Sequence, residues 1–248
     1  MELTGNVFED MYAFDEKYGF NKVKMTPRFL AFRMRFLLEE VLETIKACEY
    51  EEPEQIVDGL IDLIVVAAGT LSIAGVDCQK AWNEVRRANM EKVRLDNPNR
   101  HGSGGADLVK PDGWVAPEHS ENIGCLGEIM GGEFTEEFSH SVTVLLEASM
   151  MQFKKNADYG SQASGIKRGD YFIHGLDDFE YELNKKHLRF RSLIAKLRNN
   201  EEPNYESIQD TSVDIINYHS FVVAFLGYKL EGQDVLVDFF GRKNEPTT

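Results

Sequence analysis

Apolar positions recur at helical spacing along most of this chain. Phe8, Met11, Tyr12, Phe14 and Tyr18 predict a short first helix, followed by a loop from Gly19 to Met25. Thr26-Pro27 is a helix start, with threonine at the cap and proline in the first turn. The helix it opens is expected to run to about Tyr50, with Leu30, Met34, Leu37 and Val41 as its apolar stripe. Glu51-Glu52-Pro53 breaks the chain. The next helix, from about residue 54 to 74, has almost no polar face through Ile56, Val57, Leu60, Ile61 and Ile64, and is expected to be buried. Gly75 ends it, and Asp77 caps a fourth helix from about residue 78 to 95.

Two pairs of carboxylates interrupt this pattern. Glu40 and Glu43 are three residues apart, and Asp58 and Asp62 are four apart, so each pair shares one helix face. At 100° per residue Glu40 lies roughly 80–100° from the apolar stripe, Glu43 further round, and Glu39 nearly opposite the core. Adjacent carboxylates repel and are costly to desolvate, and a divalent metal is the usual compensation. Oxygen ligands suit Mg²⁺, with Mn²⁺ as the alternative. The plain alternatives are a solvated acidic face for the glutamates and salt-bridged structural roles for the aspartates. Gly69, seven residues past Asp62, is expected to leave space on that face. On the fourth helix Val85, Asn89 and Lys92 share a face, where Asn89 could orient phosphate and Lys92 neutralise it.

Residues 97 to 133 have little periodicity, and a stretch this long in a compact domain is often a lid or a linker. Within it, Lys110-Pro111-Asp112-Gly113-Trp114 is a turn bearing a cation and an aromatic ring. A second helical region follows, with Thr135 as a cap, a helix through Val142, Leu145, Leu146 and Ser149, and stop signals at Asn156 and Gly160. Two more helices are expected, at about 176–199 and 206–226. The last carries Asp210, Asp214 and Asn217, so the second half repeats, loosely, the theme of an early helix with an acid (Glu147) and a later apolar helix with two aspartates. The expected organisation is all-α, a helical bundle over residues 1–130 and a second small helical domain over 131–248.

Composition narrows the function. A chain of 248 residues with 42% apolar and 28% charged residues reads as an ordinary soluble globular protein. A net charge of −15 argues against direct nucleic-acid binding but leaves room for a nucleotide bridged by a metal. The amino terminus lacks the basic and apolar pattern of a signal peptide, and the apolar run from Leu63 to Gly69 is short for a bilayer, so no membrane partner is expected. Cys48, Cys78 and Cys125 are scattered, with no CxxC, which fits reduced thiols and a cytoplasmic location. A homo-oligomer, dimer or tetramer, is expected because a short helix pair buries its apolar face poorly alone.

The first region resembles the all-α NTP pyrophosphohydrolase (MazG-like) family, in its phage-type single-copy form. The resemblance covers residues 7 to 118. It is carried by Phe14-Asp15-Glu16-Lys17-Tyr18-Gly19-Phe20, Glu39-Glu40-x-x-Glu43, Asp58-Gly-Leu-Ile-Asp62, Asn89-x-x-Lys92 and Lys110-Pro-x-Gly-Trp114-x-x-Pro117. It implies hydrolysis of a nucleoside triphosphate to monophosphate and pyrophosphate, with a purine deoxynucleotide such as dGTP favoured. Glu40, Glu43 and Asp62 would hold Mg²⁺, with Asp58 a less secure ligand. Glu39 or a neighbouring glutamate would activate water, and Lys92 and Lys110 would offset charge on leaving pyrophosphate. Trp114, Tyr18 or Phe20 could stack on the base, the plain alternative for each being a place in the core or an anchor for its loop. Much of the family has an acid three before the last aspartate, where this chain has Gly59. Residues 140 to 228 resemble a domain associated with phage nucleotide modification. In it Asp158, Arg189, Asp214 and Asn217 line either a second nucleotide site or a structural polar network. The rival function is a nucleotide-sensing or scaffold module of a DNA-modification system, without turnover.

Overall fold

A computed structural model describes residues 4–94, 108–130, 140–159, 165–202 and 206–243, with backbone alone at 153, 154 and 156–159. The described chain is all-α apart from one two-residue strand pair and an isolated bridge. It forms two compact units, Met1–Ser139 and His140–Thr248.

In the first unit, α1 spans Val7–Tyr18, capped by the Asn6 side chain accepting from Phe8 N at 3.0 Å. α2 spans Pro27–Glu49, with Thr26 Oγ1 accepting from Phe29 N at 3.1 Å and proline in the first turn, as the Thr-Pro signal requires. α3 spans Pro53–Ile73 and runs back along α2. α4 spans Cys78–Met90 and is capped by Asp77. It stops five residues short of the expected end because Val93–Arg94 (β1) pairs antiparallel with Leu108–Val109 (β2). A single helical turn, α5, spans Leu126–Ile129. The segment before it closes over the α3–α4 turn: Asn122 and Asp77 exchange two hydrogen bonds of 2.9 Å, and Cys125 N donates to Ala74 O at 2.9 Å. Only glycine fits at position 124, where φ is +54° and a Cβ would overlap the Ala74 carbonyl.

Two expectations about the helix faces are corrected. The buried side of α2 does not follow the stripe to Val41. Past Leu30 and Ala31 it passes through Glu40, Thr44 and Ala47, while Val41, Leu42 and Ile45 are exposed. α3 is not buried all round either. Its contact with α2 uses Gly59, Val66 and Thr70, and α1 crosses it near Gly69 and Ser72, so Val57, Leu60, Ile61 and Ile64 face out, Leu60 at 51% and Ile61 at 53% exposure. By length and composition α3 is apolar enough to cross a bilayer, with a mean hydropathy of 2.0. Its two aspartates and its polar seam with α2 are those of a bundle helix.

In the second unit, α6 spans His140–Tyr159, α7 spans Leu176–Arg198 and α8 spans Ile208–Leu226. Ser207 and Asp210 form a reciprocal capping box at the start of α8. The core is aromatic: Phe172 stacks on Phe179 at a centroid distance of 3.8 Å, and Phe221, Phe225 and Leu230 close it. The Thr135 cap lies outside the described residues.

Candidate active site

The seam between α2 and α3 is set by small and polar residues. Thr44 sits opposite Gly59, where a Cβ would overlap the Thr44 hydroxyl. An acid at position 59 is therefore incompatible with this close approach, which accounts physically for the departure seen in the sequence. Towards the other end of the seam, Arg33 Nε donates to Thr70 Oγ1 at 2.9 Å and Nη2 donates to Val66 O at 2.8 Å. Asp15, 2% exposed, accepts from Ser72 Oγ at 2.6 Å through Oδ2, while Oδ1 has no partner among the described residues. Gly69, expected to open space beside Asp62, instead gives room to Arg33 and the Met11 methyl. Asp15, Arg33 and Ser72 went unread as a network. The available signal was Asp15 between Phe14 and the aromatics that follow it.

Between these two ends lies the carboxylate group. Glu40 is 9% exposed, Asp62 is half-buried, and Glu39, Glu43 and Asp58 are exposed. Burial pushes the Glu40 carboxyl above its ordinary range, and Asp62, Glu43, Glu39 and Asp58 push it further, in that order. All four are thus within electrostatic reach of one buried carboxylate. Among the described residues, no cation is bonded to any of the five. Nor do three acids there converge to metal-holding distance. Ionised oxygens repel, and they close up only around a positive charge. The donor set fits a hard divalent cation: oxygen ligands alone, one of them already desolvated, with no protein counter-charge.

Lys110 and Trp114 lie against the end of α4, the helix that leads through Asn89 towards Lys92. Trp114 Nε1 donates to Ala88 O at 2.7 Å, Lys110 Nζ lies 4.4 Å over the Trp114 ring, and Arg87 Nη2 donates to Ala116 O at 3.2 Å. Trp114 is thereby a loop anchor, with Lys110 over its ring. Asn89 is exposed and Lys92 half-exposed, and no hydrogen bond joins either side chain to the carboxylates. α4 meets α3 at its first turn, where Cys78 Sγ is 3.8 Å from Ala68 O.

Residues 11–89 match the family model of phosphoribosyl-ATP pyrophosphohydrolase, an all-α member of the MazG-like superfamily. The match takes in about a third of the chain, and all five carboxylates fall within it. No curated protein and no solved structure matches the chain.

Proposed function

We propose that the first unit is a metal-dependent nucleotide pyrophosphohydrolase that cleaves a deoxynucleoside triphosphate, a purine such as dGTP, to its monophosphate and pyrophosphate. The observation that carries the reading is Glu40. It is a buried carboxylate within electrostatic reach of four others, with no cation bonded to any of them among the described residues, and it lies inside the span that matches a pyrophosphohydrolase family. Glu40, Glu43 and Asp62 are the residues that would hold Mg²⁺ or Mn²⁺, with Asp58 at the edge. When bound, such an ion clamps phosphate oxygens and makes bound water more acidic. Glu39, exposed beside this group, takes a proton from the water that attacks the α-phosphorus, and the bond to the β-phosphate oxygen breaks to release pyrophosphate. Lys92 and Lys110 are the cations assigned to the leaving pyrophosphate, and Asn89 the residue assigned to orienting phosphate. Trp114, already engaged, is left out as a base platform.

A second copy of the chain belongs to this reading. Val57, Leu60, Ile61 and Ile64 on α3, and Leu42 and Ile45 on α2, are exposed apolar side chains of the kind that oligomers cover. Ile61→Asp is expected to shift the sedimentation coefficient to that of a monomer.

The family name favours one other substrate, phosphoribosyl-ATP, cleaved at the same type of bond. Pyrophosphate release would be measured from dNTPs, NTPs and phosphoribosyl-ATP, with Mg²⁺ and with Mn²⁺. Release by wild type that is lost in Glu43→Gln supports the enzyme, and the preferred substrate chooses between the two. Tight metal-dependent binding without release from any of them would leave a sensor and defeat the enzyme.

A further inference from the structure

The second unit has its own concentration of charge. In α8, Asp214, Tyr218 and Phe221 are spaced four and three apart and share a face. Asp214 accepts from Lys155 Nζ at 3.0 Å through Oδ1 and from Lys186 Nζ at 2.9 Å through Oδ2. The same Lys186 ammonium lies 4.6 Å over the Tyr218 ring. One turn further along, the Arg168 guanidinium lies 4.1 Å over the Phe221 ring. Two lysines from two different helices therefore meet on one carboxylate, and Arg168 lies on the Phe221 ring one turn beyond. Three other acids are close: Asp210, which is bonded to Ser207, Glu182, which is bonded to Lys185 at 2.8 Å, and Glu231, which attracts Arg168 without bonding it.

Arg168 is the part that the fold does not account for. It is half-buried, and burial works against its charge. Among the described residues its guanidinium has no hydrogen-bond acceptor, and the Tyr218 hydroxyl, also half-buried, has no partner. An arginine held on an aromatic ring with its donors unspent is a ready receptor for a planar or tetrahedral oxyanion.

We propose that this face of the second unit binds the phosphate group of a small phosphorylated ligand. Arg168 and the Tyr218 hydroxyl donate to phosphate oxygens, and Lys186 and Lys155 complete the positive wall. Two features favour a small ligand over a nucleic-acid strand. The cations are few and clustered, and the whole chain carries a net charge of −15, which disfavours a polyanion. No metal is needed, so the site stands apart from the pyrophosphohydrolase reading. Both products of that reaction, a nucleoside monophosphate and pyrophosphate, are nonetheless ligands of this class.

The test is calorimetric titration of the full chain in EDTA, which disables any metal-bridged binding at the carboxylates, using inorganic phosphate, pyrophosphate and dGMP in turn. Binding of at least one is expected. It should be unchanged in Glu43→Gln, weakened roughly threefold to tenfold in Tyr218→Phe, which keeps the ring, and weakened by more than about tenfold in Arg168→Gln. The tightest of the three names the source of the phosphate. Absence of binding by all three, or binding indifferent to both Tyr218→Phe and Arg168→Gln in variants with wild-type circular dichroism, would overturn the proposal.

Discussion

α3 and α8 are alike on paper and opposite in structure. Each is a long apolar helix carrying two aspartates four residues apart, Asp58 and Asp62 in one, Asp210 and Asp214 in the other. In α8 both acids are already compensated by the chain. Asp210 closes a capping box on Ser207, and Asp214 holds two lysines. In α3 neither is bonded to a cation among the described residues, and they join Glu39, Glu40 and Glu43 in an acidic group without one. The same spacing thus serves structure where lysines reach it, and is the basis of the proposed metal site where no described cation does. The loose repeat read in the sequence does not extend to the chemistry of the two helices.

The largest expected effect separates them by activity. Glu43→Gln should lower metal-dependent pyrophosphate release by at least about 100-fold, or about 2.7 kcal/mol of barrier, whereas Asp214→Asn should leave it within about twofold. The converse separation is by stability. Asp214→Ala removes the shared acceptor of Lys186 and Lys155, and should cost about 1–3 kcal/mol in chemical denaturation, with Asp62→Ala in EDTA costing less or stabilising.

A third test uses pH, because the two carboxylates are shifted in opposite directions. The folded pKa of Glu40 is raised, by burial first and by its acidic neighbours second. Its ionisation therefore opposes folding, and its contribution is lost as pH climbs from the ordinary value of 4.5 through the raised one. Burial also acts on Asp214, but the hydrogen bonds from Lys186 and Lys155 outweigh it and hold the carboxyl below 3.8. Its stabilisation is present above that value and is lost as pH falls through the depressed one. Glu40→Gln in EDTA should accordingly raise Tm at neutral pH and lose that advantage in acid. Asp214→Asn should lower Tm at neutral pH and converge on wild type in acid. The smallest effect concerns the end of α4: Trp114→Phe removes the bond to Ala88 O and should cost about 0.5–1.5 kcal/mol, with little change in turnover if Trp114 is an anchor.

Local signals were legible in the sequence. The Thr26-Pro27 start, the Asp77 cap and the breaks at Glu51–Pro53 and Gly75 are rules of the nearest few residues, and the helices begin and end by them. The five carboxylates were legible as well, because helix periodicity brings Glu40 together with Glu43 and Asp58 with Asp62. What periodicity could not supply was which side of α2 meets α3. That depends on Gly59 fitting against Thr44 and on Arg33 reaching Val66 and Thr70, contacts between residues 15 and 37 positions apart. The rotation they impose turns Glu40 inward and Val41 outward. For the same reason, periodicity could not say which backbone group the Trp114 indole would bond: its N–H donates to Ala88 O, 26 positions away.

The divalent ion proposed for the α2–α3 carboxylates is tested by a titration of Mn²⁺ into the full chain, following free Mn²⁺ by electron paramagnetic resonance, for wild type, Glu40→Gln and Asp214→Asn. Saturable uptake by wild type and Asp214→Asn that is lost or strongly weakened in Glu40→Gln is the expected result. Absence of uptake, or uptake equal in all three proteins, would contradict the account.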